Sequence, residues 1–277
     1  MILDDLKILV EKKRRENIPD FLIVNFLKEY LQYPVLDFLY KDKRYRKFIF
    51  TGGSCLRICF DLPRLSEDLD FDLKKEDLAD LDPEELADEL KKHFKDAYML
   101  DIKTRVQKDR RIYLKFSILN ELGLAFGGGS DFLYVKIEPS EKQFPKAGPE
   151  VQAISNYGYN FIVRRYSLSD MMTGKIVAVF TREWFKGKKN EVDIKGRDFY
   201  DLFWFFQNGV KPDYGKLKGS LNVTNKDQLN RELRDRIDRK VTSAKLKLDL
   251  KNFLTDRDFA EDFCDNYSEL MREYIGK

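Results

Sequence analysis

Histidine is almost absent from this 277-residue chain, since His93 is its only one. This excludes a histidine-rich metal site and any catalytic scheme that needs two histidines, and a Ser-His-Asp triad would have to use His93. We interpret His93 as a surface or helix-capping residue. Any chemistry should therefore rest on carboxylates, lysines or metal ions held by oxygen.

Cysteines and long apolar runs are also scarce. The three cysteines are Cys55, Cys59 and Cys264. An odd number in a chain of this size argues against a disulfide framework, and we expect buried free thiols. No window approaches the roughly 18 apolar residues of a membrane span, and the first residues lack the basic and apolar segments of a signal peptide. These absences predict a cytoplasmic protein without membrane contact.

The order of apolar patterns predicts an α+β fold with a mixed sheet. Helices come first, and helices follow again from about residue 167. Between them, alternating or short apolar runs predict strands near residues 48–50, 69–73, 98–106, 111–118, 131–138 and 161–163. We therefore expect a core with N-terminal helices over residues 1–165 and a C-terminal helical region, packed on that core, over residues 166–277.

A glycine-rich turn follows the first predicted strand. The strand ends at Gly52 and Gly53, and a helix is predicted to begin at Ser54. Glycines permit a positive φ and the close approach of a ligand. The free N–H groups at the start of a helix bind phosphate. The turn therefore predicts a phosphate site, although Gly-Gly-Ser alone is common in loops.

Three aspartates at a spacing of two mark the next predicted strand: Asp68, Asp70 and Asp72. This spacing places all three on one face of a sheet. Crowded carboxylates repel each other unless a cation lies among them, and an oxygen-only site suits Mg²⁺ that also binds substrate phosphates. Together with the glycine turn, the pattern indicates metal-dependent phosphoryl or nucleotidyl transfer. A solvated acidic strand is the alternative.

The segment from Gly52 to Asp72 resembles the first motif of the AbiEii/AbiGii toxin family. That family is a branch of the DNA polymerase β-like nucleotidyltransferase superfamily, so the resemblance implies the polymerase β-like core. The family pattern Ser-x-Asp-x-Asp aligns with Ser66, Asp68 and Asp70. It implies that Asp68 and Asp70 bind Mg²⁺ or Mn²⁺, with Asp72 as a helper. The spacing alone fits a pair of Asp70 and Asp72 equally well.

Three later matches extend the resemblance. Val-Lys-Ile-Glu, which ends at Glu138, is similar to the second motif, Lys-x-Asp, with Glu in place of Asp. The match implies that Glu138 completes the carboxylate set and that Lys136 binds the nucleotide. Lys175 matches the basic residue of the third motif. Arg-Asp-Phe-Tyr-Asp-Leu matches the fourth motif, which implies that Asp198 orients Lys175 or contacts the nucleotide; its Asp201 could simply bridge helices.

The resemblance implies transfer of a nucleoside monophosphate from a nucleoside triphosphate to an acceptor hydroxyl, with the phosphates bound at Gly52, Gly53 and Ser54. It further implies a toxin of a toxin–antitoxin or phage-defence system, a tRNA 3′ end as acceptor and a separate antitoxin protein. Basic segments at residues 103–115 and 211–257 would suit RNA, although solvated helix faces explain them equally. The alternatives are a nucleotidyltransferase that modifies a small molecule or a protein, and a non-catalytic nucleotide-binding regulator.

Overall fold

The computed structural model describes residues 2–108, 110–125, 130–142, 144, 147–185 and 192–276. The chain divides into two units, residues 1–165 and residues 166–277. The first unit contains both helices and strands, whereas the described part of the second unit is mainly helical. The predicted α+β class with a mixed sheet is confirmed.

The first unit combines five helices with seven strands in its described part. The helices are α1 (Ile2–Arg15), α2 (Asp20–Lys41), α3 (Gly52–Phe60), α4 (Lys75–Ala79) and α5 (Pro83–Tyr98). The strands are β1 (Ile49–Thr51), β2 (Asp68–Leu73), β3 (Ile102–Gln107), β4 (Arg111–Ser117), β5 (Phe132–Glu141), β6 (Glu150–Asn156) and β7 (Tyr159–Arg165). Helix α5 starts at Pro83, where the Asp82 side chain accepts hydrogen bonds from the first-turn N–H groups.

The described strands form one mixed sheet in the order β3-β4-β5-β2-β1-β7-β6. Strand β2 is parallel to β5 and β1 is parallel to β7, while the other pairs are antiparallel. One face is apolar and packs on α2 and α5. On this face Phe94 of α5 contacts Phe116 of β4 at 5.1 Å between ring centroids, and Tyr40 of α2 stacks on Phe161 of β7 at 6.3 Å. The polar residues of β2 and β5 project from the opposite face.

Several element boundaries differ from those predicted. Helix α5 extends to Tyr98, so β3 begins at Ile102 and not at residue 98. Strand β5 continues to Glu141, beyond the end predicted near residue 138. Asp109, between the strands predicted near residues 98–106 and 111–118, lies outside the described residues.

Strand β6 was not predicted. It forms a hairpin with β7 through the two-residue turn Tyr157–Gly158, whose φ angles are +50° and +80°. Two positive φ values are typical of a type I′ turn, where Asn or Gly is the usual first residue. Because Tyr157 occupies that position, the sequence carries no typical signal for this hairpin.

The second unit is built from six helices in its described part. They are α6 (Leu168–Thr181), α7 (Gly196–Gln207), α8 (Tyr214–Leu221), α9 (Lys226–Lys240), α10 (Ser243–Leu250) and α11 (Arg257–Ile275). The Ser167 side chain caps α6 by accepting a hydrogen bond from the Asp170 N–H group. The aromatic residues of α7 pack inward, with Tyr200 and Phe263 at 5.0 Å between ring centroids.

His93 differs from its interpretation as a surface or capping residue. It lies half-buried within α5, and its ring packs 4.9 Å from that of Phe38. Burial lowers the pKa of His93. The three cysteines are free and buried, as predicted. No described helix combines the length and apolar character needed to cross a membrane.

Candidate active site

At the junction of β1 and α3, the side chains of Asp70 and Arg64 lie against the two glycines. Gly52 has a φ of +75° and is the first residue of α3, two residues before the predicted start. A Cβ atom at Gly52 would overlap Oδ2 of Asp70, and one at Gly53 would lie 2.7 Å from the Arg64 guanidinium. The two glycines therefore allow Asp70 and Arg64 to approach the backbone closely.

Ser54 ties α3 to β2. Its hydroxyl is buried and donates a hydrogen bond to the Asp68 carbonyl oxygen at 2.5 Å. The side chain is thus engaged within the protein. At the start of α3 the backbone N–H groups have no earlier helical turn to accept their hydrogen bonds.

The pairing of β2 with β5 assembles the polar residues of the first two motifs. Asp68 lies opposite Lys136, and Asp70 lies opposite Glu138. Residues paired across neighbouring strands project to the same face. The structure therefore brings Asp68, Asp70, Lys136 and Glu138 together on one side of the sheet, which we call the site face.

Two cations pair with these carboxylates. The Lys136 Nζ lies 2.8 Å from Asp68 Oδ2 and 3.3 Å from Glu138 Oε2, and Arg111 of β4 contacts the other Glu138 oxygen. Burial lowers the pKa of Lys136, but the hydrogen bond and charge of Asp68, with the charge of Glu138, outweigh burial and raise it. Lys136 is therefore protonated at neutral pH. Sequence reasoning missed Arg111, because only the pairing of β4 with β5 places it there.

Asp72 occupies a more enclosed position on β2. It is 8% exposed, and the Ser140 hydroxyl donates a hydrogen bond to its Oδ1 at 3.0 Å. Asp68 and Asp70, by contrast, face Lys136 and Glu138. This arrangement favours Asp68 with Asp70 over Asp70 with Asp72 as the pair that binds a ligand.

The donor set suits a hard divalent cation in kind. Asp68, Asp70 and Glu138 offer only carboxylate oxygens, at adjacent register positions of β2 and β5. Among the residues that the structure describes, however, no three carboxylate, histidine or cysteine side chains are gathered at metal-binding distance. Lys136 and Arg111 balance the negative charge in this arrangement. The three carboxylates therefore fit a divalent cation that would displace Lys136 and Arg111 from them.

In the second unit, Lys175 joins α6 to α7. Its Nζ lies 2.8 Å from Asp198 Oδ1 and 2.9 Å from Asp201 Oδ2. Both carboxylates are buried, and Arg182 also reaches Asp198, at 2.5 Å. The fourth motif thus places its two aspartates on the basic residue of the third. Asp201 bridges these helices, the alternative that the sequence left open.

The charges around Asp198 include one cation that sequence reasoning missed. Burial alone raises the pKa of Asp198. The positive charges of Lys175, Arg182 and Lys195 outweigh this effect, so the pKa of Asp198 is lowered. Burial lowers the pKa of Lys195 to about 8, and the positive charge of Arg197 adds to this effect. Lys195 precedes α7 in an irregular segment, where no sequence periodicity indicates its surroundings.

A family model for the nucleotidyl transferase AbiEii toxin of type IV toxin–antitoxin systems matches residues 37–275. The chain belongs to the AbiEii family. It is therefore a nucleotidyltransferase of a toxin family, and the resemblance seen in the sequence is confirmed. Membership of the AbiEii family implies a nucleoside triphosphate as donor and an antitoxin as partner.

The chain is also similar to three solved structures. A proposed nucleotidyltransferase from Helicobacter pylori is 18% identical, with 90% of this chain and 95% of that chain covered and a TM-score of 0.47. JHP933 from Helicobacter pylori is 19% identical, with coverages of 91% and 93% and a TM-score of 0.49. The Bradyrhizobium diazoefficiens CD-NTase CdnG in complex with GTP is 17% identical, with coverages of 86% and 63% and a TM-score of 0.24. No curated protein matches the chain significantly.

Proposed function

We propose that this AbiEii protein transfers a nucleoside monophosphate from a nucleoside triphosphate to an RNA hydroxyl, at the 3′ end of tRNA, and that a separate antitoxin protein opposes it. The pairing of β2 with β5 carries the proposal. It places Asp68 and Asp70 beside Lys136 and Glu138, at the start of α3. The family match supports the reaction class.

In the proposed reaction the acceptor hydroxyl oxygen bonds to the α-phosphorus and gives up its proton to water. The bond from that phosphorus to the pyrophosphate oxygen breaks, and pyrophosphate leaves. Backbone N–H groups of residues 52–54 bind phosphate oxygens, aided by the dipole of α3. The protonated Lys136 adds positive charge that stabilises the negative charge developing on the phosphate oxygens.

Asp68, Asp70 and Glu138 are the residues that would hold Mg²⁺ or Mn²⁺. Asp72 would act as a helper from its more enclosed position on β2. When bound, the cation would neutralise phosphate charge and acidify the acceptor hydroxyl. Lys136 and Arg111 now contact two of these carboxylates, and both side chains can exchange carboxylate oxygens for phosphate oxygens. For the second unit, we propose that Lys175 supplies charge to the nucleotide and that Asp198 orients it.

A labelling experiment tests the proposal. The protein is incubated with each of the α-labelled ribonucleoside triphosphates, Mg²⁺ and total RNA. We expect label in RNA of tRNA size, with one triphosphate preferred. Label found in protein or in a small molecule, with none in RNA, would overturn the RNA acceptor and support the other transferase alternative. The absence of any transfer would overturn the catalytic proposal.

A pair of isosteric variants gives the labelling experiment its control. Asp70→Asn should lower transfer by roughly a hundred- to thousandfold, because it removes a charge from the reacting centre. Asp61→Asn is the matched control, since Asp61 is exposed at the C-terminal end of α3 with a φ of 58° that asparagine tolerates. Transfer by Asp70→Asn at the rate of Asp61→Asn would contradict the assignment.

A further inference from the structure

The site face continues from the carboxylates across β5, β4 and β3. Tyr113 pairs with Lys136, and Tyr134 pairs with Lys115, so these side chains share the face that carries Glu138. Pairing of β3 with β4 extends it. We define the sheet-face track as the six side chains that project there beyond the carboxylates: Lys103, Arg105, Tyr113, Lys115, Phe132 and Tyr134.

The basic side chains of the sheet-face track lie on β3 and β4, two strands without a carboxylate of their own. In the described part of the chain, no carboxylate forms an ion pair with Lys103, Arg105 or Lys115. Lys136 and Arg111, nearer to the carboxylates, are paired by contrast. Unbalanced positive charge beside a reacting centre attracts a polyanion.

Aromatic rings lie among these cations. Tyr134 is 37% exposed, and Tyr113 and Phe132 are partly exposed. The Lys115 Nζ lies 6.0 Å from the Tyr134 ring centroid, and the Lys103 Nζ lies 5.2 Å from that of Phe132. Alternating cations and aromatic rings on a sheet surface are typical of surfaces that stack nucleobases and contact the phosphates between them.

We infer that the sheet-face track binds the single-stranded end of the RNA acceptor and directs it toward the carboxylates. This inference rests on the proposed function, because it assumes an RNA acceptor. Strand β3 lies three strand spacings from β2, roughly 14 Å, which is enough for a few nucleotides. Paired RNA keeps its bases stacked within the helix, so the rings select unpaired nucleotides.

A binding experiment isolates the track from catalysis. Full-length protein with the Asp70→Asn substitution is titrated into a fluorescein-labelled single-stranded RNA of about eight nucleotides, and fluorescence anisotropy is recorded. A duplex of the same sequence is the second probe. We expect the single strand to bind more tightly than the duplex. Equal binding of both probes would contradict base stacking.

Variants of Tyr134 test the aromatic component. In the same background, Tyr134→Ala should weaken binding of the single strand by about tenfold, as expected for one lost stacking partner. Tyr134→Phe should bind like the parent, because stacking does not need the hydroxyl. Phe259→Ala removes an aromatic residue that is 46% exposed on α11 and serves as the matched control.

Variants of the lysines test the phosphate component. Lys103→Ala with Lys115→Ala should reduce the slope of log affinity against log salt by about 1.4, since each phosphate contact with a single strand contributes about 0.7. The exposed pair Lys91→Ala with Lys92→Ala on α5 is the control and should leave the slope unchanged.

The outcomes separate this inference from the proposed function. If Tyr134→Ala and the lysine pair of the track bind RNA like their parent, the track is not the RNA site, even if wild-type protein labels RNA. If these variants lose binding while wild-type protein labels no RNA, the track is an RNA site and the proposed transfer is wrong.

Discussion

Gly52 shows how a residue without a side chain shapes the site. Its φ of +75° lies in the left-handed region, and its missing Cβ leaves the space that the Asp70 carboxylate fills. Two independent demands therefore meet at one position. The backbone needs glycine for its conformation, and Asp70 needs glycine for its place on the site face.

Gly52→Ala should destabilise the protein by about 2–4 kcal/mol and abolish transfer. The left-handed backbone accounts for about 1–2 kcal/mol, and the overlap with Asp70 adds to it. Gly209→Ala is the control, because Gly209 has a φ of +64° with no atom near its Cβ position. Gly209→Ala should lose only about 1–2 kcal/mol, the cost of the left-handed backbone, and keep full transfer activity. Urea unfolding and the labelling assay measure both effects; equal losses in both variants would contradict the role of the overlap.

The positive charge of Lys195 is unfavourable in the folded protein, because the side chain is buried. Its pKa is lowered to about 8, by burial first and then by Arg197, from an ordinary value of 10.5. Between these values the unfolded chain binds more protons than the folded one, so the free energy of unfolding rises with pH through this window. The penalty is present in full below pH 8 and disappears above pH 10.5.

Lys195→Met should therefore raise the free energy of unfolding at pH 7 by about 1–3 kcal/mol, after allowance for partial exposure. The advantage over wild type should shrink as the pH rises from 8 to 10.5. Urea unfolding at several pH values measures it, and the exposed Lys251→Met is the control. An advantage that does not change with pH would mean that packing, and not charge, explains it.

At the scale of elements, α6 and α7 are joined by the buried ion pairs of Lys175. The two carboxylates that it contacts belong to side chains that are 4% and 0% exposed. An ion pair in this environment adds little net stability when intact, but the loss of one partner leaves buried charge uncompensated. The contact therefore fixes the two helices whether or not Lys175 also meets a nucleotide.

Lys175→Met should destabilise the protein by about 3–5 kcal/mol for this reason. Lys247→Met is the matched control. Lys247 also pairs with two carboxylates, but these are exposed on α11, so its loss should cost less than about 1 kcal/mol. Urea unfolding compares the two variants. Similar small losses would show that the Asp198 and Asp201 carboxylates take up protons or water when Lys175 is absent.

Local patterns predicted those elements whose signals lie within a few residues. The alternation around Asp70 correctly indicated a strand. The β6–β7 hairpin was missed because Tyr157 occupies a turn position typical of Asn or Gly. Arg111 was missed because it reaches Glu138 only through the pairing of β4 with β5, and register between distant strands is not written in either strand alone.

For the whole molecule, the net charge of +3 conceals a separation of charge. Residues 66–90 are strongly acidic, whereas β3 and β4 have no carboxylate at all. The sequence could show this separation along the chain. It could not show that the strands bring the basic residues of β3 and β4 onto the face that carries Asp68 and Asp70, because that follows from the strand order.

The pairing of β2 with β5 also has a consequence for how the protein is made. Asp70 and Glu138 are almost seventy positions apart along the chain, and only the pairing of β5 with β2 brings them together. Such non-local pairing follows the closure of a long loop, which makes it a slow step of folding. A growing chain on the ribosome cannot hold the complete carboxylate set before β5 has emerged. Synthesis of this protein therefore completes its charged centre late, and fragments that end before β5 lack it.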